Sequence, residues 1–232
     1  MLVGCTAAPP NAEFNDPYEQ ANRNIHAFNR GIDKIVLRPS SQVYGSIVPD
    51  PVKTGIGNLA SNLNQPGYVL NDLLQGRIED AGHNTFRFLI NTIVGVGGIF
   101  NPADSFSLEE RDTDFGETLY VWRAEEGVYL ELPFLGPSTV RDATGSVVDV
   151  VLNPLNTMVG QDQASAVLGV SIASRVGDRY QYSGFVDSIL YESADSYAQA
   201  RLLYLQNRRF DHSGDEDNEE AYFDPFEDKF ID

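Results

Sequence analysis

The chain has 232 residues, 42% of them hydrophobic, and its formal net charge is −18. This length and composition can support one substantial core, so we expect a single domain. The acidity argues against nucleic acid and against polybasic adhesion to anionic lipid, because both need a basic surface. Contact with a membrane would then depend on apolar side chains or on an acyl anchor.

The only cysteine, Cys5, follows Leu2-Val3-Gly4. A lone cysteine cannot form an internal disulfide, and in mid-chain it would be a packing residue. The sequence Leu-Val-Gly-Cys resembles the lipobox of bacterial lipoproteins, in which the cysteine becomes the acylated N-terminus. We therefore expect a diacylglycerol or acyl chain on Cys5, removal of residues 1–4, and a flexible tether up to residue 15. Since only four residues precede Cys5, we expect a start assigned too late or a trimmed chain.

The first helix is predicted to begin at Asp16-Pro17, with Asp16 as N-cap and Glu19 reaching back to it. Arg38-Pro39 is predicted to end it. Between them runs an apolar stripe at helical spacing, formed by Ile25, Phe28, Ile32 and Ile35.

Three more helices are predicted in the next part of the chain. Asp50-Pro51 repeats the start signal, and Gln65-Pro66 is predicted to end that helix. A short helix follows over residues 69–75 and stops at Gly76. Apolar residues at helical spacing then predict a helix over residues 78–93.

The fourth helix runs into the apolar, glycine-containing stretch FLINTIVGVGGIF at residues 88–100. It is too short to span a bilayer, which needs about 20 residues. Two interpretations stay open: a core helix that ends in a glycine loop, or an element lying in one leaflet with a glycine hinge.

The remaining elements are predicted to be mostly helical. We expect one or two helical turns over 115–122, a short strand over 128–133, and helices over 138–151, 162–176, 179–192 and 195–210. Residues 16–210 are therefore predicted to form one all-α domain with at most a short β-hairpin. Residues 211–232 hold ten acidic residues against Lys229, which predicts a disordered tail, either a spacer or a docking segment.

Sequence motifs for catalysis or metal binding are absent. The three histidines are His26, His83 and His212, and neither Gly-x-Ser-x-Gly nor His-Glu-x-x-His occurs. The acidic run at residues 109–117 does not have the ligand order of a calcium loop. We expect no enzyme activity, no metal and no cofactor other than the acyl chain on Cys5.

A series of spaced motifs resembles the MlaA (VacJ) family of outer-membrane lipoproteins, over about residues 2–210. The motifs, in chain order, are Asp16-Pro17-x-Glu19-x-x-Asn22-Arg23, Phe28-Asn29, Leu37-Arg38-Pro39, Tyr44-x-x-x-x-Pro49, Gln75-Gly76, Arg87-Phe88-x-x-Asn91-Thr92-x-x-Gly95-x-Gly97-Gly98, Phe115-Gly116-x-Thr118-Leu119 and Leu132-Pro133-x-x-Gly136-Pro137-Ser138-x-x-Arg141-Asp142.

The resemblance implies a ring of amphipathic helices in the inner leaflet of the outer membrane, lipid-anchored at its periplasmic face. A central amphipathic channel would take phospholipid from the outer leaflet and pass it to a periplasmic carrier, MlaC, which maintains lipid asymmetry. A trimeric porin is the expected membrane partner, and nucleic acid is not one. The alternatives are a membrane-anchored enzyme that acts on phospholipid and a structural, porin-associated lipoprotein.

Two groups of residues are candidates for this function. Polar or edge residues of the channel are predicted at Asn22, Arg23, Phe28, Asn29, Arg87 and Asn91, with Arg23 or Arg87 offering a guanidinium to phosphate. The alternative is that these polar groups are structural and hydrogen-bond neighbouring segments. Hinge residues are predicted at Gly95, Gly97 and Gly98.

Overall fold

The computed structural model describes residues 14–155 and 161–213. The predicted lipidation site Cys5 and residues 214–232 of the acidic tail lie outside the described residues. The elements are, in chain order, α1 (Glu19–Ile32), a π-helical turn (Asp33–Leu37), α2 (Arg38–Ile47), α3 (Asp50–Gln75), α4 (Ile78–Ile93), a 3₁₀ turn (Pro102–Phe106), α5 (Phe115–Val121), β1 (Tyr129–Leu132), β2 (Gly136–Thr139), α6 (Val140–Leu152), α7 (Gln161–Gln181), α8 (Ser183–Asp187), a second π-helical turn (Ser188–Glu192) and α9 (Ser196–Ser213).

The all-α prediction with a short β-hairpin is confirmed. The two strands pair antiparallel, with Tyr129 opposite Thr139 and Leu132 opposite Gly136. The predicted strand at 128–133 is thus one arm of a hairpin, and α6 begins directly after the second arm. Thr139 caps α6, since its side chain accepts a hydrogen bond from the backbone N–H of Asp142.

The prediction of Asp16 as the N-cap of the first helix is wrong. The helix begins at Glu19, and no side chain caps it. The Asp16 carboxylate instead accepts hydrogen bonds from the side chains of Asn22, Tyr197 and Arg201. These partners lie on α1 and α9, so the carboxylate that local sequence assigned to a cap ties the two ends of the described domain together.

Two predicted helix ends at prolines are also wrong. The chain passes from α1 through the π-helical turn into α2, where Pro39 lies in the first turn, a position that needs no backbone N–H donor. Pro66 lies inside α3, which runs unbroken for 26 residues. Packing of α3 along α4 outweighs the cost of about 3 kcal/mol that an internal proline imposes on a helix.

The break predicted near residue 177 does not occur either, because α7 continues to Gln181. The closest approach of α7 to α2 is at Gly45 of α2, where a Cβ would lie 2.2 Å from the ring of Tyr180. Gly177 has room for a Cβ, since the nearest atom, on the Tyr44 ring, would be 3.4 Å away. Packing of α7 against α2 therefore carries the helix through residues 177 and 178, where the sequence predicted a gap.

A small aromatic cluster joins the hairpin to α9. Tyr129, Tyr197 and Leu205 are fully buried, and Phe14 and Tyr204 pack against them. Among the helices described here, none has both the length and the apolar character to cross a membrane.

Candidate functional site

The polarity of the described residues is inverted relative to a water-soluble domain. The few apolar side chains that are buried are Ala60, Ala81, Ala103, Tyr129, Leu155, Tyr197 and Leu205, whereas amides, carboxylates and arginines fill most other buried positions. Large apolar side chains instead lie outside, among them Ile35, Ile47, Phe86, Ile93, Phe134 and Val151. Exposed apolar surface of this extent marks contact with a membrane or a partner.

Two adjoining cavities open beside the hairpin. The first, of about 390 Å³, lies between α1, the hairpin and α7. The second, of about 920 Å³, lies between the hairpin, α6 and α9. Leu135, Pro137 and Arg175 line both. We call the two cavities together the hairpin groove; the larger cavity is of the size that accommodates small-molecule ligands in other proteins.

The larger cavity is amphipathic. One wall carries the apolar side chains of Val147, Val150 and Val151 on α6. Another part of the lining, which we call the charged wall, holds Asp114, Asp142 and Arg208, and there Arg208 donates to Asp114 at 2.6 Å and to Asp142 at 3.3 Å. A cavity with both apolar and charged lining suits a ligand that has both kinds of surface.

The carboxylate of Asp142 is the best-connected group of the charged wall. Burial alone would raise the pKa of Asp142, but the hydrogen bond from Tyr204, at 2.6 Å, and the charge of Arg208 lower it. The same two carboxylates, Asp114 and Asp142, raise the pKa of Arg208 despite its burial. Asp142 and Arg208 therefore stay ionised at neutral pH.

The smaller cavity has two carboxylates that are already paired. Asp33 accepts two hydrogen bonds from Arg179, at 2.8 and 2.9 Å, and one from the Tyr191 hydroxyl at 2.7 Å. Glu131 accepts from the Tyr129 hydroxyl at 2.6 Å. Both carboxylates are buried. The charge of Asp33 is compensated by Arg179, whereas Glu131 is held by hydrogen bonds from Tyr129 and Asn29.

Three residues beside the smaller cavity form a chain of hydrogen bonds. His26 Nδ1 lies 3.2 Å from the Glu131 carboxylate, and His26 Nε2 lies 3.1 Å from the hydroxyl of Ser196. All three side chains are buried, and the Ser196 hydroxyl also receives a long hydrogen bond, 3.4 Å, from Arg30. The order serine, histidine, carboxylate is that of a hydrolase triad.

The predicted channel residues of α1 lie around the hairpin. Asn22 is buried and bridges Asp16 and the carbonyl of Tyr129. Asn29 lines the smaller cavity and donates to the carbonyl of Leu132 at 2.9 Å. The ring of Phe28 is half exposed and meets Phe134 edge to face. Of these three residues, Asn29 is the one that faces the groove.

The other three predicted channel residues lie away from the groove. Arg23 donates one hydrogen bond to the Glu19 carboxylate and two to the Asp195 carboxylate. Arg87 is buried and donates to Asp104, at 2.6 Å, and to the carbonyl of Leu108. The Asn91 amide bonds the side chain of Asn101 and the backbone N–H of Ala103. These are contacts of residues that hold neighbouring segments together, which was the alternative interpretation.

The predicted hinge glycines form a tight turn after α4. Gly97 and Gly98 have φ of +74° and +99°, in a region that glycine adopts without strain. A Cβ on Gly95 would come within 2.3 Å of the Phe100 carbonyl, and one on Gly98 would meet Asn62 at 2.6 Å. The backbone geometry of this turn therefore requires glycine, and the hinge itself stays a prediction.

Sequence reasoning missed the charged wall of the groove. Arg208 and Asp142 are 66 residues apart, and no spacing rule connects them. Sequence reasoning also missed Arg175 of α7, which lines the groove apart from that wall. The sequence signal for it was a cation beside the apolar residues Ile172 and Val176. In residues 14–155 and 161–213 no group of three side chains is placed to hold a metal ion.

Comparison with known proteins places this geometry in one family. The sequence model of the MlaA lipoprotein family matches residues 14–211. An uncharacterized protein of Rickettsia felis is 37% identical over 190 residues, covering 82% of this chain and 74% of that protein. The intermembrane phospholipid transport system lipoprotein MlaA of Haemophilus influenzae is 32% identical, covering 86% of this chain and 80% of that protein.

A solved structure is also similar. It comes from work on the structural basis for maintenance of bacterial outer membrane lipid asymmetry. The two chains superpose with a TM-score of 0.71 at 28% identity, over 85% of this chain and 98% of the other.

Proposed function

Because the chain belongs to the MlaA lipoprotein family, we propose that it moves phospholipid out of the outer leaflet of the outer membrane through the hairpin groove. The groove would deliver the lipid to the periplasmic carrier MlaC and so maintain lipid asymmetry. The observation that carries this proposal is the inverted polarity: large apolar side chains outside, charged and amide side chains inside, and an amphipathic groove between them.

The physical argument concerns the lipid head group. A phosphate head group cannot cross hydrocarbon without polar partners, because an unsatisfied charge in a low-dielectric medium is costly. The groove has side-chain donors, among them Asn29 and Arg175, that can act as such partners. Val147 and Val151 offer an apolar path for acyl chains. The exposed apolar side chains would lie in the inner leaflet as a ring of helices, anchored by an acyl chain on Cys5 and associated with a trimeric porin.

Hydrolysis is the second candidate function, since Ser196, His26 and Glu131 form a hydrogen-bonded chain. A hydrolase needs its serine hydroxyl to reach the substrate and to be polarised by the histidine alone. Ser196 is buried, is not among the residues that line the groove, and shares its hydroxyl with Arg30. The contacts favour transport over hydrolysis. The hydrogen-bonded residues Ser196, His26 and Glu131 then serve to join α1, β1 and α9.

The test uses full-length, lipidated protein in donor liposomes with MlaC as acceptor. Transport predicts intact phospholipid on the carrier and no released fatty acid, in the wild type and in Ser196→Ala alike. Fatty acid that appears in the wild type and disappears in Ser196→Ala would instead identify an enzyme. Absence of both products would leave the porin-associated scaffold as the function.

A further inference from the structure

The arginines of the described residues divide into two groups. Those with a carboxylate partner within 4 Å are Arg23, Arg38, Arg77, Arg87, Arg111, Arg141, Arg179, Arg201, Arg208 and Arg209. In the same part of the chain Arg175 has no hydrogen bond and no ion pair, although it is exposed and lines both cavities of the groove. Its position, at the junction of the two cavities, is where a ligand passing between them would meet it.

The carboxylates of the groove are engaged elsewhere. Asp33 is paired with Arg179, and Glu131 with Tyr129 and His26. In the larger cavity, the carboxylates with their own donors are Asp114 and Asp142, both with Arg208, and Asp211 with Asn207. Asp178, three residues after Arg175, feels the arginine charge, which partly offsets the rise that burial causes in the pKa of Asp178. The guanidinium of Arg175 is thus left with its donors unused among the described residues.

A second arginine faces the smaller cavity. Arg30 lines it, and its one side-chain contact in the described part of the chain is the 3.4 Å bond to the Ser196 hydroxyl. Asn29, beside it, also lines the cavity. Two arginines without carboxylate partners and an amide therefore border one cavity, next to the apolar side chains of Ile172 and Leu135.

We propose that Arg175 binds the phosphate group of a glycerophospholipid at the junction of the two cavities, with Arg30 as a second donor. The guanidinium fork matches phosphate oxygens, and the apolar surroundings strengthen the contact relative to water. The acyl chains would lie along the valine wall of α6. This inference rests on the proposed function, and it assigns the phosphate-binding role to Arg175 rather than to Arg23 or Arg87.

The experiment compares binding of two lipids that differ in the phosphate. Full-length protein in detergent is titrated with phosphatidylglycerol and with diacylglycerol, which has the acyl chains but no phosphate. Arg175→Gln should weaken phosphatidylglycerol binding about tenfold, the loss expected for a charge-assisted contact, and leave diacylglycerol binding unchanged. Arg175→Lys, which keeps the charge without the fork, should fall between.

Arg123 provides the matched control. It is exposed, its side chain has no hydrogen bond or ion pair within the described ranges, and it does not line the groove. Arg123→Gln should bind both lipids like the wild type. Equal losses of both lipids in Arg175→Gln, or unchanged phosphatidylglycerol binding, would overturn the proposal. Inorganic phosphate that binds the wild type as tightly as the lipid would make this a free-phosphate site, and that result also contradicts it.

Failure here is distinguishable from failure of the proposed function. If the wild type does not transfer lipid to MlaC, transport is wrong, while the difference between the two lipids still decides the role of Arg175. If the wild type transfers lipid and Arg175→Gln binds phosphatidylglycerol equally well, transport stands and Arg175 has no phosphate-binding role.

Discussion

The α3–α4 interface and the hairpin groove are both rich in polar side chains, but they use them differently. At the interface, Asn84 of α4 donates to the Asp72 carboxylate of α3 at 2.8 Å. Beside it, Arg87 of α4 holds Asp104 and the Leu108 carbonyl of the segment that follows the helix. In the groove, Arg175 faces open space. Burial of polar groups therefore identifies internal connections, whereas an exposed, unpaired cation beside a cavity identifies a place for a ligand.

The largest effect is expected at Arg87. Its side chain is 4% exposed while its partner Asp104 is 57% exposed, so Arg87→Met removes the buried charge without burying an unpaired carboxylate. We expect a loss of about 3 kcal/mol in the free energy of unfolding, because two charge-assisted hydrogen bonds of Arg87 are lost, to Asp104 and to the Leu108 carbonyl. Urea unfolding measures it, with Arg175→Met as the control expected within about 0.5 kcal/mol.

The same variant also decides whether Arg87 has a structural role or a role in the channel. Transfer that scales with the amount of folded Arg87→Met protein supports the structural role. Lost transfer with an unchanged unfolding curve would return Arg87 to the channel and would remove the contrast between the two regions.

The contribution of Asp72, at the α3–α4 interface, to the stability of the protein depends on pH. Burial raises the pKa of this carboxyl to about 6 from its ordinary value of 3.8. Below about pH 4 the carboxyl is neutral whether the chain is folded or unfolded, and its contribution to stability is fully present. As the pH rises through 6 the folded state must hold a buried charge, so this contribution is lost.

Asp72→Asn should remove that loss. Relative to the wild type, the variant is expected to gain up to about 3 kcal/mol in unfolding free energy at pH 8 and little at pH 4, since one pKa unit corresponds to about 1.4 kcal/mol. Thermal unfolding between pH 4 and 8 measures the difference. A difference in unfolding free energy that does not change with pH would show that burial does not raise the pKa of the Asp72 carboxyl.

The turn after α4 should show a smaller effect. Gly97 has φ of +74° with no atom within 4 Å of a Cβ, so Gly97→Ala should cost about 1 to 2 kcal/mol through backbone strain alone. Gly82, inside α4 and equally open, is the control, and Gly82→Ala should stabilise the helix by about 1 kcal/mol. The hinge prediction requires lipid transfer by Gly97→Ala to fall further than its stability explains.

The smallest effect on stability is expected at the valine wall. Val151 is exposed and lines the groove, so Val151→Asn should change unfolding free energy by no more than about 0.5 kcal/mol. The lipid that co-purifies with the protein should nevertheless decrease. Leu168→Asn, at an exposed apolar position outside the groove, should keep its lipid; equal losses in both variants would mean that the groove is not the binding site.

Local sequence signals predicted what local forces determine. The helix over 78–93 and the strand at 129–132 follow from periodicity, and they were placed to within one or two residues. Pro66 was misread as a helix end and residues 177 and 178 as a gap between helices, because packing of α3 against α4 and of α7 against α2 decides there. Fewer residues of the site could be predicted from the sequence. Asn29 was predicted from its position on a helix face. Arg175 can be told apart from the paired arginines only once the structure shows that its side chain has no carboxylate partner.

The contacts of Asp16 bear on the order in which the chain can fold. Its partners Tyr197 and Arg201 come 181 and 185 residues later, and α1 also donates hydrogen bonds to a hairpin more than 100 residues away. Closing such long loops is slow. The N-terminal helix must therefore wait, with its apolar face uncovered, until α9 has been synthesised, and during that interval a chaperone or a membrane surface would have to shield it.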